Sequence, residues 1–175
     1  MKKVLVSVFI TTLALTGNAQ LSVSKMLGKN SDQYKPGLGV FANYSFPLNE
    51  EANRSIVLEI LDFTYFPPKN LDTGSAKAYL SIKLGYRYIF SETRTGFYIE
   101  PQAGYVRSLD TRGDGVYKDG VALAMEGGYS LEVGQRGNTI LFGLKYEADN
   151  PGHELGISSL AFKVAYSFSW MRRER

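Results

Sequence analysis

Residues Leu80 to Phe90 read LSIKLGYRYIF, and every second side chain is large: Leu80, Ile82, Leu84, Tyr86, Tyr88 and Phe90. Between them stand Ser81, Lys83, Gly85, Arg87 and Ile89. A period of two specifies a strand with two unlike faces, because successive side chains point to opposite sides of a sheet. The same alternation recurs in segments of about ten residues, which predict strands near Leu21–Gly28, Gly37–Phe46, Ile56–Phe66, Tyr79–Phe90, Phe97–Ser108, Val121–Glu132, Thr139–Ala148 and Ser158–Trp170. Clusters of Gly, Pro, Asn and Asp separate them and supply turn chemistry. PLNEEANR, SETRTG and GQRGN are short connections; PPKNLDTGSAK, DTRGDGVYKDG and NPGHELGI are mostly longer. Alternating short and long connections put the short turns at one rim of an up-and-down barrel and the long loops at the other.

Which face lies inside follows from volume. The fat set includes Leu80 to Phe90 above, Ile140, Phe142, Leu144 and Tyr146, and Leu160, Phe162, Val164, Tyr166, Phe168 and Trp170. The thin set includes Ser81, Gly85, Gly104, Gly128, Ser130, Gly143, Ala161, Ala165 and Ser167. The interior of an eight-stranded barrel is just wide enough for side chains to fill and cannot hold an aromatic at every inward position. The fat face therefore points out, where it is stable against lipid. The expected fold is all-β: a closed, eight-stranded, antiparallel, up-and-down transmembrane β-barrel.

Charge placement agrees. By alternation Glu59, Lys83, Arg87, Glu100, Glu126, Glu132, Lys145, Glu147 and Lys163 share the thin face, so acids and bases should pair inside a narrow lumen. Asp62 would break the pattern in SIVLEILDFTYF; a bulge at Ile60 and Leu61 turns Asp62 and Thr64 inward and Phe63 and Tyr65 outward. Pro101 lacks an N–H and is expected at a bulge or distortion. Phe46, Tyr88, Phe90, Phe97, Phe168 and Trp170 fall beside the short turns, as in the aromatic girdle at a membrane interface.

The N-terminal MKKVLVSVFITTLALTGNA has a basic start, an apolar run from Val4 to Leu15 and small residues Gly17 and Ala19, the pattern of a secretory signal cleaved after Ala19. Residues 1–19 are thus assigned to the signal and residues 20–175 to one barrel domain. Gln20 gives no thiol for a lipoprotein anchor. Two of the three net positive charges belong to Lys2 and Lys3, so the remainder has no basic excess suited to nucleic acid. With no Cys there is neither a disulfide framework nor a thiolate metal site.

The segments GNAQ, KPGLGVFANYSF, LSIKLGYRYIF, TGFYIEPQAGY, GVALAMEGGYSL and SLAFKVAYSFSW together resemble the small eight-stranded outer-membrane β-barrel family, the OmpA/OmpX-like group. The resemblance implies a monomer in the bacterial outer membrane, in contact with its lipids and lipopolysaccharide, delivered by periplasmic chaperones and the barrel assembly machinery. Family members finish on an aromatic residue; here Trp170 is followed by MRRER.

Chemical motifs are sparse. Neither GxxxxGK[ST] nor GxGxxG occurs. The single histidine, His153, sits in a polar loop without thiolate partners. Some small barrels are lipid A deacylases with a His and a Ser on a late strand; the corresponding LKYEADN has neither. In DTRGDGVYKDG, Asp110, Asp114 and Gly115 sit as in a calcium loop, but Arg112 and Val121 occupy ligand positions. Arg112-Gly113-Asp114 resembles an integrin-binding tripeptide, and a polar surface loop explains it equally well. These observations favour a non-enzymatic outer-membrane protein, structural or an interaction scaffold, with a salt-bridge-plugged lumen, no cofactor, no metal and no catalytic residue. A lipid-modifying enzyme and a narrow transport pore are the alternatives. The loops near 29–36, 67–78, 109–120 and 149–157 are expected to carry any contacts.

Overall fold

The computed structural model describes residues 18–70, 75–110, 118–133, 138–151 and 157–167. Eight strands follow one another in the chain: β1 (Asn18–Leu27), β2 (Gly37–Pro47), β3 (Arg54–Phe66), β4 (Lys77–Ile89), β5 (Gly96–Asp110), β6 (Lys118–Val133), β7 (Asn138–Pro151) and β8 (Ile157–Ser167). Each pairs antiparallel with its neighbour, and β1 pairs with β8, so the sheet closes on itself. Closure leaves no edge strand. Among the described residues no helix is long and apolar enough to cross a membrane.

The faces fall as volume requires. Leu84 is 57% exposed on the outside of β4, while its neighbour Lys83 is 1% exposed on the inside. Ile82, Tyr86, Phe142, Leu144, Tyr146, Leu160, Phe162 and Val164 are likewise exposed, and Ser81, Ser130, Ala161 and Ala165 are buried. Leu21, Leu38, Leu123 and Met125 carry the outer belt onto β1, β2 and β6. A continuous outward apolar belt of this kind matches the hydrocarbon core of a bilayer and would be unfavourable in water.

The inside is not free of large residues. Phe41, Val57, Tyr98, Phe66 and Tyr79 point inward, but at different heights. Ile89, Tyr98, Leu141 and Ala165 form an apolar floor toward the short turns. Met26, Phe66, Tyr79, Val106 and Ala122 form an apolar layer toward the long loops, with Tyr34 and Ile157 packed on it. Staggering lets eight strands accommodate rings that one level could not hold.

The expected bulge at Ile60 and Leu61 is present: Glu59 pairs with Lys83 but Asp62 with Ser81, so β3 carries one extra residue there. The slip turns Asp62 inward, where it is buried. At Pro101 the expected irregularity takes the form of a distortion and not a bulge. Gly85 pairs with Gln102 and Tyr88 with Ile99 in one register, with the two pairs between them missing, while the ladder to β6 runs through Pro101 and Met125. The proline removes a donor on one side only, and the sheet gives up local pairing without shifting register.

The long-loop rim also departs from the sequence pattern. The β5–β6 ladder continues to Ser108 and Lys118, and the β6–β7 ladder to Gly120 and Pro151, beyond the predicted ends at Val121 and Ala148. Arg107 and Asp119, opposite each other on the outer face, make a two-pronged ion pair of 2.7 and 3.0 Å. The backbone ladder persists above the apolar belt, where alternation of apolar residues no longer marks it. Gly28, at φ 79°, opens a 3-10 helix over Gly28–Gln33 that turn chemistry alone did not specify. The segment after this helix is fastened to the β3–β4 connection by Lys35 N–H to Pro67 O and Lys69 N–H to Gln33 O, both 2.9 Å.

β1 begins at Asn18, with Asn18 and Ala19 opposite Ser167 and Tyr166. The rest of the expected signal, residues 1–17, lies outside the described residues.

Candidate functional site: the charged lumen

Between the apolar floor and the apolar outer layer lies a band of charge. β3, β4, β7 and β8 send Glu59, Lys83, Lys145 and Lys163 inward to one level, where the three lysines meet on Glu59. Glu59, 1% exposed, receives three lysines: Lys83 at 3.2 Å, Lys145 at 3.1 Å and Lys163 at 3.2 Å. One step outward, Asp62 Oδ2 takes Lys83 and Lys145, both at 2.7 Å. Glu147 takes the same two bases at 2.8 and 2.6 Å. Each of these two lysines thus has at least three acceptors for its three protons.

A second group sits nearer the floor. Arg87 Nε donates to Glu100 Oε2, and Gln102 Nε2 donates to Glu100 Oε1 at 2.6 Å. Glu126 links the groups: Tyr98 O–H donates to Oε1 at 2.6 Å, and Lys163 reaches Oε2 at 2.6 Å. Gly143 makes this possible. A Cβ there would stand 2.6 Å from the Tyr98 hydroxyl and 2.8 Å from Glu126 Oε1. Lys163 also lies 3.9 Å from the centre of the Phe41 ring, an added favourable contact for a buried ammonium. Gln20 and Asn43 exchange amide hydrogen bonds of 2.7 and 3.2 Å between β1 and β2.

The structure places Glu59, Asp62, Lys83, Arg87, Glu100, Glu126, Lys145, Glu147 and Lys163 in this network. Glu132 is the correction. It has inward parity, but β5 begins pairing only at Gly96 opposite Ser130, so at the short-turn rim Glu132 is paired on the β7 side alone and is exposed, its N–H bonded to Thr95 Oγ1 at 3.0 Å. Parity gives direction and not height. Tyr98, Gln102, Phe41, Asn43 and Asp149 are lumen residues that the sequence reading did not single out. The first four share parity with Glu100 or Gly39, and Asp149 shares it with Lys145 and Glu147 but lies beyond the predicted end of its strand.

Of the girdle residues, Phe46, Phe90 and Phe97 are exposed at the short-turn rim. Tyr88, half-buried, meets Phe90 edge to face at 5.0 Å, and Phe97 meets Tyr129 at 5.2 Å. Phe168, Trp170, His153 and the segment Arg112–Asp114 lie outside the described residues. Among the described residues no group of three His, Cys, Asp or Glu is placed to hold a metal ion.

The closed ring of eight strands has counterparts among solved structures. Neisserial surface protein A superposes with a TM-score of 0.70 at 13% sequence identity, over 87% of this chain and 95% of that one. The fold is that of the small outer-membrane barrels. The outer-membrane enzyme PagL superposes with a TM-score of 0.55 at 16% identity, over 85% of this chain and 97% of that one. No protein-family model matches the sequence, and no curated protein matches it. The shared barrel accommodates both an enzyme and a surface protein, so function has to be argued from the lumen and the surfaces.

Proposed function

We propose that the protein is a monomeric, non-enzymatic component of the bacterial outer membrane, a barrel that does not conduct and that serves as a structural element or an interaction scaffold. Its lipid-facing belt would contact outer-membrane lipids and lipopolysaccharide, and it would reach its place after signal cleavage with the help of periplasmic chaperones and the barrel assembly machinery. The observation that carries this reading is the lumen: Lys83 crosses it to Glu147 and Lys145 and Lys163 cross it to Glu59, with Ile89 and Tyr98 closing it below and Phe66 and Tyr79 narrowing it above. A pore needs a water path, and this cross-section is occupied by side chains joined to one another by ion pairs and hydrogen bonds. The apolar belt supports the membrane placement.

The test is one preparation with two readouts. In planar bilayers the folded protein is expected to give no steady conductance above leak, and lipid A from cells that express it is expected to keep all its acyl chains by mass spectrometry. Steady conductance would replace the plug by a pore, and a lost acyl chain would replace the scaffold by a lipid-modifying enzyme.

A further inference from the structure

On the outside of the barrel, the short-turn end of β3 carries a cation at the foot of an apolar groove. Arg54, Ile56 and Leu58 share the outward face of β3, and the register sets Arg54 beside Tyr88, Ile56 between Phe46 and Tyr86, and Leu58 between Tyr44 and Leu84. Ile56 and Leu58 are half-buried, whereas Tyr44, Phe46 and Tyr86 are 40%, 54% and 38% exposed. The outer face of β3 is thus a floor between walls that stand on β2 and β4, two strand spacings or about 9–10 Å apart. From Arg54 to Leu58 the floor runs about 13 Å at the rise of a strand. Arg54 is exposed, and its backbone is fixed on both sides: its N–H donates to Asn49 Oδ1 at 3.2 Å, and its carbonyl accepts from Leu48 N–H at 2.8 Å. The guanidinium lies 5.8 Å from the centre of the Tyr88 ring and makes no ion pair among the described residues. Glu51, in the same turn, is held by Asn49 Nδ2 at 3.3 Å. A guanidinium stacked on a ring keeps its N–H edge available, and that edge matches the oxygens of a phosphate.

We propose that this groove binds one glycerophospholipid, its phosphate on the Arg54 guanidinium and one acyl chain along Ile56 and Leu58. The inference rests on the membrane placement argued above and adds to it a preferred position for one lipid. Charge complementarity decides the headgroup end, because an unpaired guanidinium at the level of Phe46, Tyr88 and Phe90 meets the phosphates of the bilayer interface. The floor and its walls decide the other end, because they extend from that cation toward the middle of the apolar belt. The rim decides the lipid. Arg54 lies beside the short turns, on the side of the membrane opposite the long loops, and lipopolysaccharide belongs to the leaflet on the loop side.

The experiment is native mass spectrometry of the folded protein released from detergent micelles, with phosphatidylglycerol added in steps and folding of each variant checked by the heat dependence of its gel mobility. One lipid is expected to bind at a lower concentration than any that follow. Arg54→Gln is expected to raise the concentration needed for that first lipid about tenfold or more, the loss of a charged hydrogen bond. Arg54→Lys, which keeps the charge and loses the fork, is expected to raise it less, and Ile56→Phe, which keeps Arg54 and fills the floor, to raise it as well. Equal uptake by the wild type, Arg54→Gln and Ile56→Phe would overturn the groove alone. A barrel that takes up no phospholipid and stays in solution without detergent would overturn the groove and the membrane placement together. Inorganic phosphate and lipid A serve as competitors. Displacement of the first lipid by phosphate at equal concentration, or by lipid A at a lower one, would overturn the choice of a glycerophospholipid.

Discussion

Lys145→Met is expected to destabilise the folded barrel by about 3–5 kcal/mol, the cost of breaking a buried ion-pair network from one side. Met has nearly the length of Lys, so packing is largely kept and the loss is of charge. The variant leaves Glu59, Asp62 and Glu147 with one fewer base on a wall that already holds more acids than bases. Lys145 is the sharper target than Glu59. Without Glu59, Lys83 and Lys145 would keep Asp62 and Glu147, and Lys163 would keep Glu126. Equilibrium urea unfolding in vesicles measures the change, and a cost below about 1 kcal/mol, the range of exposed ion pairs, would mean that the lumen is wet and its charges screened.

The second large effect is expected on the opposite face. Leu84→Arg, in the middle of the outward row Leu80, Ile82, Leu84, Tyr86 and Tyr88, should cost about 2–4 kcal/mol, as a charge does at the midplane of a bilayer. The size of the effect discriminates between environments. Leu84 is exposed, and in a water-soluble barrel an exposed leucine replaced by arginine changes stability by about 0.5 kcal/mol or less. The same substitution at Leu38, near the long-loop end of β2, is expected to cost less, because the penalty falls to about 0–1 kcal/mol near the interface.

Most of the architecture was legible in the sequence because two physical signals agree along the chain. Alternation gave each strand two faces, and lumen volume assigned the faces, so that Leu84 and Lys83 could be placed outside and inside from sequence alone. The bulge was legible because Asp62 has only one tolerable direction. What failed has a common cause: alternation reports orientation and is silent about height. Glu132 has the right parity and lies at the rim beyond the end of β5, Asp149 has the right parity and falls in an expected loop, and the ladder of β5 and β6 runs on through Arg107 and Asp119 where the apolar signal has ended. At Pro101 the expected distortion is present, and what the sequence does not show is the side of the strand on which the missing donor falls, hence that pairing is lost toward β4 and kept toward β6.

The candidate site was legible as a set and not as a network. Nine inward charges followed from parity and the bulge. Which base meets which acid depends on the relative heights of strands across the barrel, as when Lys145 on β7 reaches Glu59 on β3. Uncharged members such as Tyr98 and Gln102, which orient Glu126 and Glu100, carry no sequence signal of their own beyond the face they share.

The central claim is that the fat face meets lipid, and the chain's lack of cysteine makes a direct test simple. A nitroxide attached to Leu84→Cys in the vesicle-reconstituted protein reports the solvent at that position by its relaxation with molecular oxygen, which concentrates in the bilayer, and with a water-soluble nickel chelate, which does not enter it. The account predicts strong relaxation by oxygen and little by the chelate. Strong relaxation by the chelate, with oxygen no better than at an aqueous site, would place Leu84 in water and contradict it.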